Sequence, residues 1–262
     1  MLEIRGLYKT FNPGTINEKK VFEDLSLTLN SGDFVTVIGG NGAGKSTLLN
    51  MIAGTYPFDQ GQLLLDGKDI TKLKEFERAA FMGHVFQDPL LGTCSNLSIA
   101  ENLSIARRKG KRRTLRRGIT EAEREEYRAL LAPLGLGLEE RLTEKVGLLS
   151  GGQRQALTLL MATLVRPQLL LLDEHTAALD PKTAKIVLDL TNELVARDQL
   201  TTLMITHNMR DALKTGNRLI MMSEGRIILD ISGEEKEKAT VSDLLALFEQ
   251  NNASLDDKLL LG

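Results

Sequence analysis

The sequence holds a single cysteine, Cys94. No internal disulfide can form, which fits a reducing compartment. An excess of either charge is also missing: 33 basic against 35 acidic residues leave a formal net charge of −2. A dedicated nucleic-acid binder usually carries a basic excess, so that class is disfavoured and no nucleic-acid partner is expected. Long apolar runs are absent. No window approaches the ~18 to 20 apolar residues that span a bilayer, so work at a membrane would require docking on a protein that spans it. The opening Met1-Leu2-Glu3-Ile4-Arg5 has neither a basic n-region nor an apolar stretch, and reads as no signal peptide. There is no internal repeat and no low-complexity segment. What remains is ordinary globular composition, 42% hydrophobic and 26% charged, in 262 residues. That is enough for a full core and lies at the upper edge of what one domain holds.

Patterning along the chain predicts alternating strands and helices. Leu2 and Ile4, then Leu25, Leu27 and Leu29, fall on one side of a period-2 pattern, with a turn at Asn12-Pro13-Gly14-Thr15 between them. Phe34–Ile38 is a β-branched run that ends in glycines, and a helix is expected from about Ser46 to Ala53 with Gly54 as its stop. Asp66-Gly67 marks a further turn. From about Gly92 to Lys145 strand signals vanish and helical stretches, Ile99–Arg108 and Glu121–Leu131, take over. This segment carries a basic run, Arg107 to Arg117, without an acid. It reads either as a solvated surface or as a contact for anionic lipid headgroups. A helix opening at Ser150, an apolar strand Leu169–Leu172, a helix of about Pro181 to Ala196 and a strand Thr202–Thr206 follow. The Pro181 helix is expected to bury Ile186, Val187, Leu190, Leu194 and Val195 on one face. Strand, helix, strand in that order implies a parallel sheet covered by helices. In the tail, Thr240 and Asp243 cap a short helix carrying Leu244, Leu245, Leu247 and Phe248.

Three segments carry chemistry. Gly39-Gly40-Asn41-Gly42-Ala43-Gly44-Lys45-Ser46-Thr47 follows an apolar strand and opens a helix. That is the context of a phosphate-binding loop. Glycines let backbone N–H groups curl around an anion, and the helix start adds free donors and partial positive charge. Lys45 would reach the terminal phosphates of a nucleotide and Ser46 Oγ would ligate Mg²⁺. Second, Leu169–Leu172 leads into Asp173-Glu174. In open α/β sheets ligands gather at the carboxyl ends of strands, where Asp173 could hold Mg²⁺ and Glu174 could deprotonate an attacking water. Third, Leu149-Ser150-Gly151-Gly152-Gln153 is another glycine-bearing helix start. It reads as an N-capped helix and also as a second anion site. One chain rarely needs two γ-phosphate sites for one nucleotide, so this one would serve a neighbour.

With these residues in place, the chain resembles the ATPase subunit of ATP-binding cassette (ABC) transporters over about residues 1–230. The phosphate loop and Ser150-Gly151-Gly152-Gln153 together are highly specific. The resemblance implies an α/β fold: a P-loop NTPase core with a parallel sheet, an N-terminal antiparallel β subdomain and an inserted helical subdomain. It implies one ABC ATPase domain over residues 1–262, with core 1–91 and 146–230, helical subdomain 92–145, and a tail 231–262 holding a short helix. It implies ATP and Mg²⁺ as cofactors. Asp173 and Glu174 match the Walker B pair, with Glu174 catalytic. Gln87, in Val85-Phe86-Gln87-Asp88-Pro89, matches the glutamine loop that senses Mg²⁺ and water. His207 matches the switch histidine, Asp180 the loop crossing a dimer interface, and Phe11 the ring against adenine. Read by themselves these residues keep plainer meanings. Gln87 is then a loop amide, His207 a satisfied strand-end histidine, Phe11 core, and Asp180 an N-cap before Pro181. Tyr8 rivals Phe11 for the adenine contact.

Partners follow from the same resemblance. They are a second copy in head-to-tail arrangement, integral membrane permease subunits and an extracytoplasmic solute-binding protein, with the chain at the cytoplasmic face of the membrane. The segments Gly147–Leu157 and Asp173–Asp180 resemble a bacterial branch paired with branched-chain-amino-acid-type permeases, for which aromatic amino acids are among the cargoes. A cassette ATPase acting on nucleic acid or ribosomes is the competing class. Three departures from the family pattern are His175 in place of proline, Ala177 in place of serine and Gly40 in place of proline. His175 is expected as a turn residue, with proton coupling to Glu174 as the alternative.

Overall fold

A computed structural model describes residues 1–111 and 118–260, with side chains through Asn251. In chain order the elements are β1 (Leu2–Phe11), β2 (Lys19–Leu29), β3 (Phe34–Gly39), α1 (Lys45–Ala53), β4 (Gln60–Leu65), β5 (Lys68–Asp69), α2 (Glu75–Arg78) and β6 (Met82–Val85). There follow α3 (Ile99–Arg107), α4 (Glu121–Leu131), α5 (Gly151–Thr163), β7 (Leu169–Asp173), α6 (Pro181–Asp198) and β8 (Thr202–Ile205). The last are α7 (Met209–Lys214), β9 (Arg218–Ser223), β10 (Arg226–Ser232), α8 (Glu234–Lys238) and α9 (Val241–Leu260). The chain forms two compact units, Met1–Leu73 with Thr201–Gly262, and Lys74–Leu200.

In the first unit β1 pairs antiparallel with β2 and β4, and β4 with β5. The pairing sets Leu2 against Leu29 and Ile4 against Leu27, which is what the period-2 leucines require to share one buried face. The Asp66-Gly67 turn has φ of 49° and 76°, a primed turn that matches strand twist. β3 lies parallel to both β8 and β9, and its Val35, Val37 and Ile38 are buried. A second primed turn, Glu224-Gly225 with φ of 46° and 73°, joins β9 to an antiparallel β10. α9 is longer than the short helix expected. Asp243 Oδ2 accepts from Thr240 N at 2.9 Å as a capping box, and no glycine or proline interrupts the helix. Leu244 packs with Ile38, Ala212, Leu219 and Met221, while Leu247 and Phe248 pack at the edge of that cluster. Leu245 is 44% exposed, because one residue is a 100° rotation from Leu244.

In the second unit β6 and β7 are parallel neighbours. Leu169 to Leu172 are all fully buried, as a strand covered on both faces demands. The described part of residues 92–145 holds α3, α4 and short 3-10 turns, with a single isolated bridge, Ser98 to Lys145. Ser98 caps α3 and Thr120 caps α4, each through a capping box with a glutamate three residues on. Leu103, Tyr127, Leu131, Leu138 and Val146 pack with Leu157 and Leu160 of α5. On α6 the buried stripe is Val187, Thr191, Leu194 and Val195. Ile186 is 39% exposed, a correction to the expected face: it stands one position off the i, i+4, i+7 line. The start of the basic run is half-buried and makes bonds within the chain. Arg107 pairs with Glu126, Arg108 Nη2 donates to Gly118 O at 2.6 Å, and Lys109 Nζ donates to Met82 O. Residues 112–117 of that run lie outside the described residues. Among the described residues no helix is long and apolar enough to cross a membrane.

Candidate functional site

The first unit holds the phosphate loop. β3 runs into Gly39 and α1 starts at Lys45, so Gly39–Gly44 is a tight connection. Gly39 has no room for a side chain: a Cβ there would lie 2.2 Å from Met222 O. Lys45 is 8% exposed, and its Nζ donates to Gly39 O at 2.8 Å and Gly40 O at 3.1 Å. The ammonium is thus folded over the concavity that the loop glycines make. Gly40 also accepts from Ala43 N at 3.2 Å. A Cβ on Gly40 would meet Phe248 Cζ of α9 at 3.0 Å. A side chain at position 40 would therefore press on the Phe248 ring.

β8 supplies the neighbouring strand end. Val37 and Ile205 are register partners, so Gly39 and His207 each stand two residues further toward the same carboxyl edge. His207 is exposed and lines an open cleft with Asn208, Met209, Arg210 and Val241. Asn208 Oδ1 accepts from Arg210 N and Asp211 N to cap α7. Phe11 closes β1, half-buried, with its ring 5.6 Å from Tyr56 at 85°. Tyr8 is 37% exposed and lies between the buried Leu7 and Lys9, so it alternates to the opposite face from Lys9 and Phe11. Lys19 was missed by sequence reasoning. It is the register partner of Phe11, and its Nζ comes within 3.8 Å of where a Cβ on Gly42 would sit. Only strand pairing reveals that placement.

The second unit gathers the other group. Val85 and Leu172 are register partners, so Gln87 and Glu174 each lie two residues beyond, at one carboxyl edge of the β6–β7 pair. Asp173 is the last residue of β7. Glu174 has φ 43°, a left-handed backbone that costs a non-glycine residue about 1 kcal/mol. Such outliers concentrate at functional positions. Ser150 is the N-cap of α5: its Oγ accepts from Gln153 N at 3.3 Å, and Gln153 Oε1 accepts from Ser150 N at 3.2 Å. Gly152 sits against α6, where a Cβ would fall 1.9 Å from Thr183 Cγ2. Asp180 Oδ1 accepts from Thr183 N at 3.1 Å and Pro181 occupies the first helical position. These bonds hold the Asp180 carboxyl below its ordinary range. The N-cap reading of Asp180 is therefore realised.

Gln155 is a second residue the sequence did not single out. It is 1% exposed and its Nε2 donates to Phe86 O at 3.2 Å, next to Gln87. One turn along α5, Thr158 packs against Gly92. The glutamine loop is thereby held at both stems on α5.

His175 lies in the turn after β7, as expected, but its ring is 2% exposed. Nε2 is 3.0 Å from Thr191 Oγ1, and that hydroxyl donates to Val187 O at 2.8 Å. The hydroxyl proton is used, so Nε2 carries the hydrogen and donates. Burial holds the ring's pKa down at about 4. A ring neutral at working pH and turned to Thr191 gives no basis for proton exchange with Glu174. It does give a stability prediction. Below pH 6.5 the unfolded chain takes up a proton that the folded chain refuses until about pH 4, so stability falls across that window. The contribution of His175 is on the order of 3 kcal/mol. His84, half-buried against Phe86 with its pKa also lowered to about 4 by burial, adds to the same trend. Urea midpoints should drop steeply from pH 7 to 5 in the wild type and less steeply in His175→Leu. Parallel curves for the two proteins would refute this assignment.

The ABC transporter family model matches residues 22–177. The chain belongs to the ABC transporter family. It is 46% identical to a tyrosine transport ATP-binding protein of Clostridioides difficile (strain R20291), over 95% of this chain and 99% of that one. It is 32% identical to the spermidine/putrescine import ATP-binding protein PotA of Haemophilus ducreyi (strain 35000HP / ATCC 700724), over 88% of this chain but only 57% of that protein's length. Among solved structures it resembles the cassette MJ0796, a dimer in a post-hydrolysis state bound to ADP and Pi. The match has TM-score 0.75 at 26% identity and covers 88% of this chain and 98% of that one. It also resembles the ADP conformation of the cassette MJ1267, with TM-score 0.77 at 29% identity over 95% and 98% of the two chains. The fold is the α/β P-loop fold of these cassettes, and the chain is an ATP-binding ATPase coupled to transport.

Proposed function

We propose that this ABC ATPase drives a bacterial importer of an amino acid, with an aromatic side chain on the cargo, by closing and reopening a head-to-tail homodimer around ATP. The observation that carries the reading is the presence of two glycine-bearing helix starts in one chain, at Gly44-Lys45 and at Ser150-Gly151. Each is suited to an anion. In a two-fold dimer each nucleotide would lie between the phosphate loop of one copy, Gly39 to Thr47, and Ser150, Gly151, Gly152 and Gln153 of the other. The dimeric state of the related MJ0796 cassette supports this. Phe11 would stack on adenine. Glu174 would take the proton of the attacking water, and His207 would hold the γ-phosphate in line. Gln87 would sense Mg²⁺ and the attacking water and contact the membrane partner, and Asp180 would touch the partner copy while capping α6. The division into core 1–91 and 146–230, helical part 92–145 and tail 231–262 belongs to the same proposal.

The oxygen donors Ser46 Oγ, Gln87 and Asp173 suit Mg²⁺, a hard cation that keeps phosphates and waters as ligands. Among the described residues there is no group of three or more His, Cys, Asp or Glu that could hold a metal ion. Bound to those oxygens, Mg²⁺ would neutralise charge on the phosphates.

The proposed partners are a membrane permease and an extracytoplasmic solute-binding protein, with the chain on the cytoplasmic face. The cargo named for the C. difficile relative supports an aromatic amino acid. The experiment is affinity purification of the tagged chain from membranes of its own organism. Recovery of a multi-span permease, with ATPase activity stimulated by a binding protein loaded with tyrosine or phenylalanine, is the expected result. Recovery of ribosomes or nucleic acid without a membrane protein would refute it.

A further inference from the structure

Phe11 does not stand alone. Tyr56 sets its ring edge to face against it, 5.6 Å between centroids and 85° between planes. Lys9 Nζ lies 5.2 Å from the Phe11 centroid. Lys9 is 7% exposed, unusual for lysine, and it is fixed by Asp59 Oδ1 at 3.2 Å. Asp59 is itself held, with Oδ2 accepting from Thr10 N at 2.5 Å and its N–H donating to Tyr8 O at 3.0 Å. Tyr56 is fastened as well: its N–H donates to Asn50 O of α1 at 3.3 Å, and Gly54 and Thr55 donate to the same carbonyl. Two independent tethers, one to β1 and one to the phosphate-loop helix, thus converge on one half-buried ring.

We propose that Tyr56 and Lys9 are positioning residues that brace Phe11 as a fixed platform for the nucleotide base. The inference rests on the reading of Phe11 as the base contact and deepens it. A cation on one face of a phenyl ring draws π density toward itself. The opposite face is left less electron-rich and stacks better on an electron-rich purine. An edge-to-face neighbour holds the ring against rotation, so ordering it on binding costs less. Tyr56 works through its ring, and its hydroxyl is dispensable.

Titration calorimetry of the intact chain with Mg-ATP, Mg-GTP and Mg-tripolyphosphate separates the possibilities, because tripolyphosphate carries phosphates without a base. Tyr56→Ala should weaken ATP and GTP alike, by about fivefold, and leave tripolyphosphate unchanged. Lys9→Met should act in the same direction, and Tyr56→Phe should restore wild-type ATP affinity. Equal losses for ATP and tripolyphosphate would mean that Tyr56 only supports the fold, and would overturn the proposal. So would an unchanged ATP affinity in Tyr56→Ala. If Phe11→Ala leaves ATP binding intact, the base-contact reading of Phe11 falls and the platform with it. If the wild-type chain binds tripolyphosphate and no nucleotide better, the ATP reading itself is wrong.

Discussion

Glu174→Gln should cut ATP hydrolysis by at least ~100-fold while leaving ATP affinity unchanged, and should accumulate a nucleotide-bound dimer. The substitution keeps size and hydrogen-bonding reach but removes the group that can accept a proton. If Glu174 activates water, the chain binds Mg-ATP, closes and then cannot release phosphate. Size-exclusion chromatography with light scattering at saturating Mg-ATP reads the dimer, and phosphate release reads the rate. A variant that stays monomeric under those conditions, alone and with its membrane partner, would defeat the sandwich mechanism. The backbone supplies a control. Glu174 sits at φ 43°, where glycine is at ease. Glu174→Gly should therefore lose activity as Glu174→Gln does, yet unfold at an equal or higher urea concentration. Loss of activity together with loss of stability would point to a structural residue.

Much of this site was legible before any coordinates, and the reason is local. A phosphate loop needs glycines, a lysine and a hydroxyl at fixed offsets between a strand and a helix, and Gly39 to Ser46 satisfies that within one short stretch. Ser150 and Gln153 likewise announce a helix start through a capping box that is written in sequence. The leucine run before Asp173 needed only burial on both faces to be read as a strand. What stayed hidden depends on contacts distant in sequence. Nothing near Gly40 says that Phe248 will lie over it, and nothing near Gln155 says that it will hold the carbonyl of Phe86. The β9–β10 hairpin is poorly legible because Ser223-Glu224-Gly225-Arg226 is a weak turn signal between its two strands. The buried face of α6 is one residue narrower than its apolar pattern implies, at Ile186. A hydrophobic residue beside a buried stripe is indistinguishable by composition from one within it.

Two inactive variants mixed together should recover activity. Lys45→Ala removes the ammonium from the phosphate loop. Gly151→Asp places a carboxylate at the first turn of α5, where it would repel a phosphate held by the other copy. The structure selects Gly151 over Gly152 for this test. A Cβ on Gly151 meets only Leu179 Cδ2 at 3.5 Å, an ordinary contact, whereas one on Gly152 would collide with Thr183 and disturb α5 against α6. Gly151→Asp should thus fold and bind ATP, and fail only at the shared step. Each homodimer then has two damaged sites. In a mixed dimer one site combines both lesions, and the other joins an intact phosphate loop to an intact Ser150 turn. With random pairing, half the dimers are mixed and each has one sound site, so activity should return to about a quarter of wild type if sites act independently. The measurement is phosphate release from equal mixtures after joint refolding, or co-expression with the permease. A mixture no more active than its components would show that the Ser150 turn works within its own chain, and would remove the two-chain pocket from the mechanism.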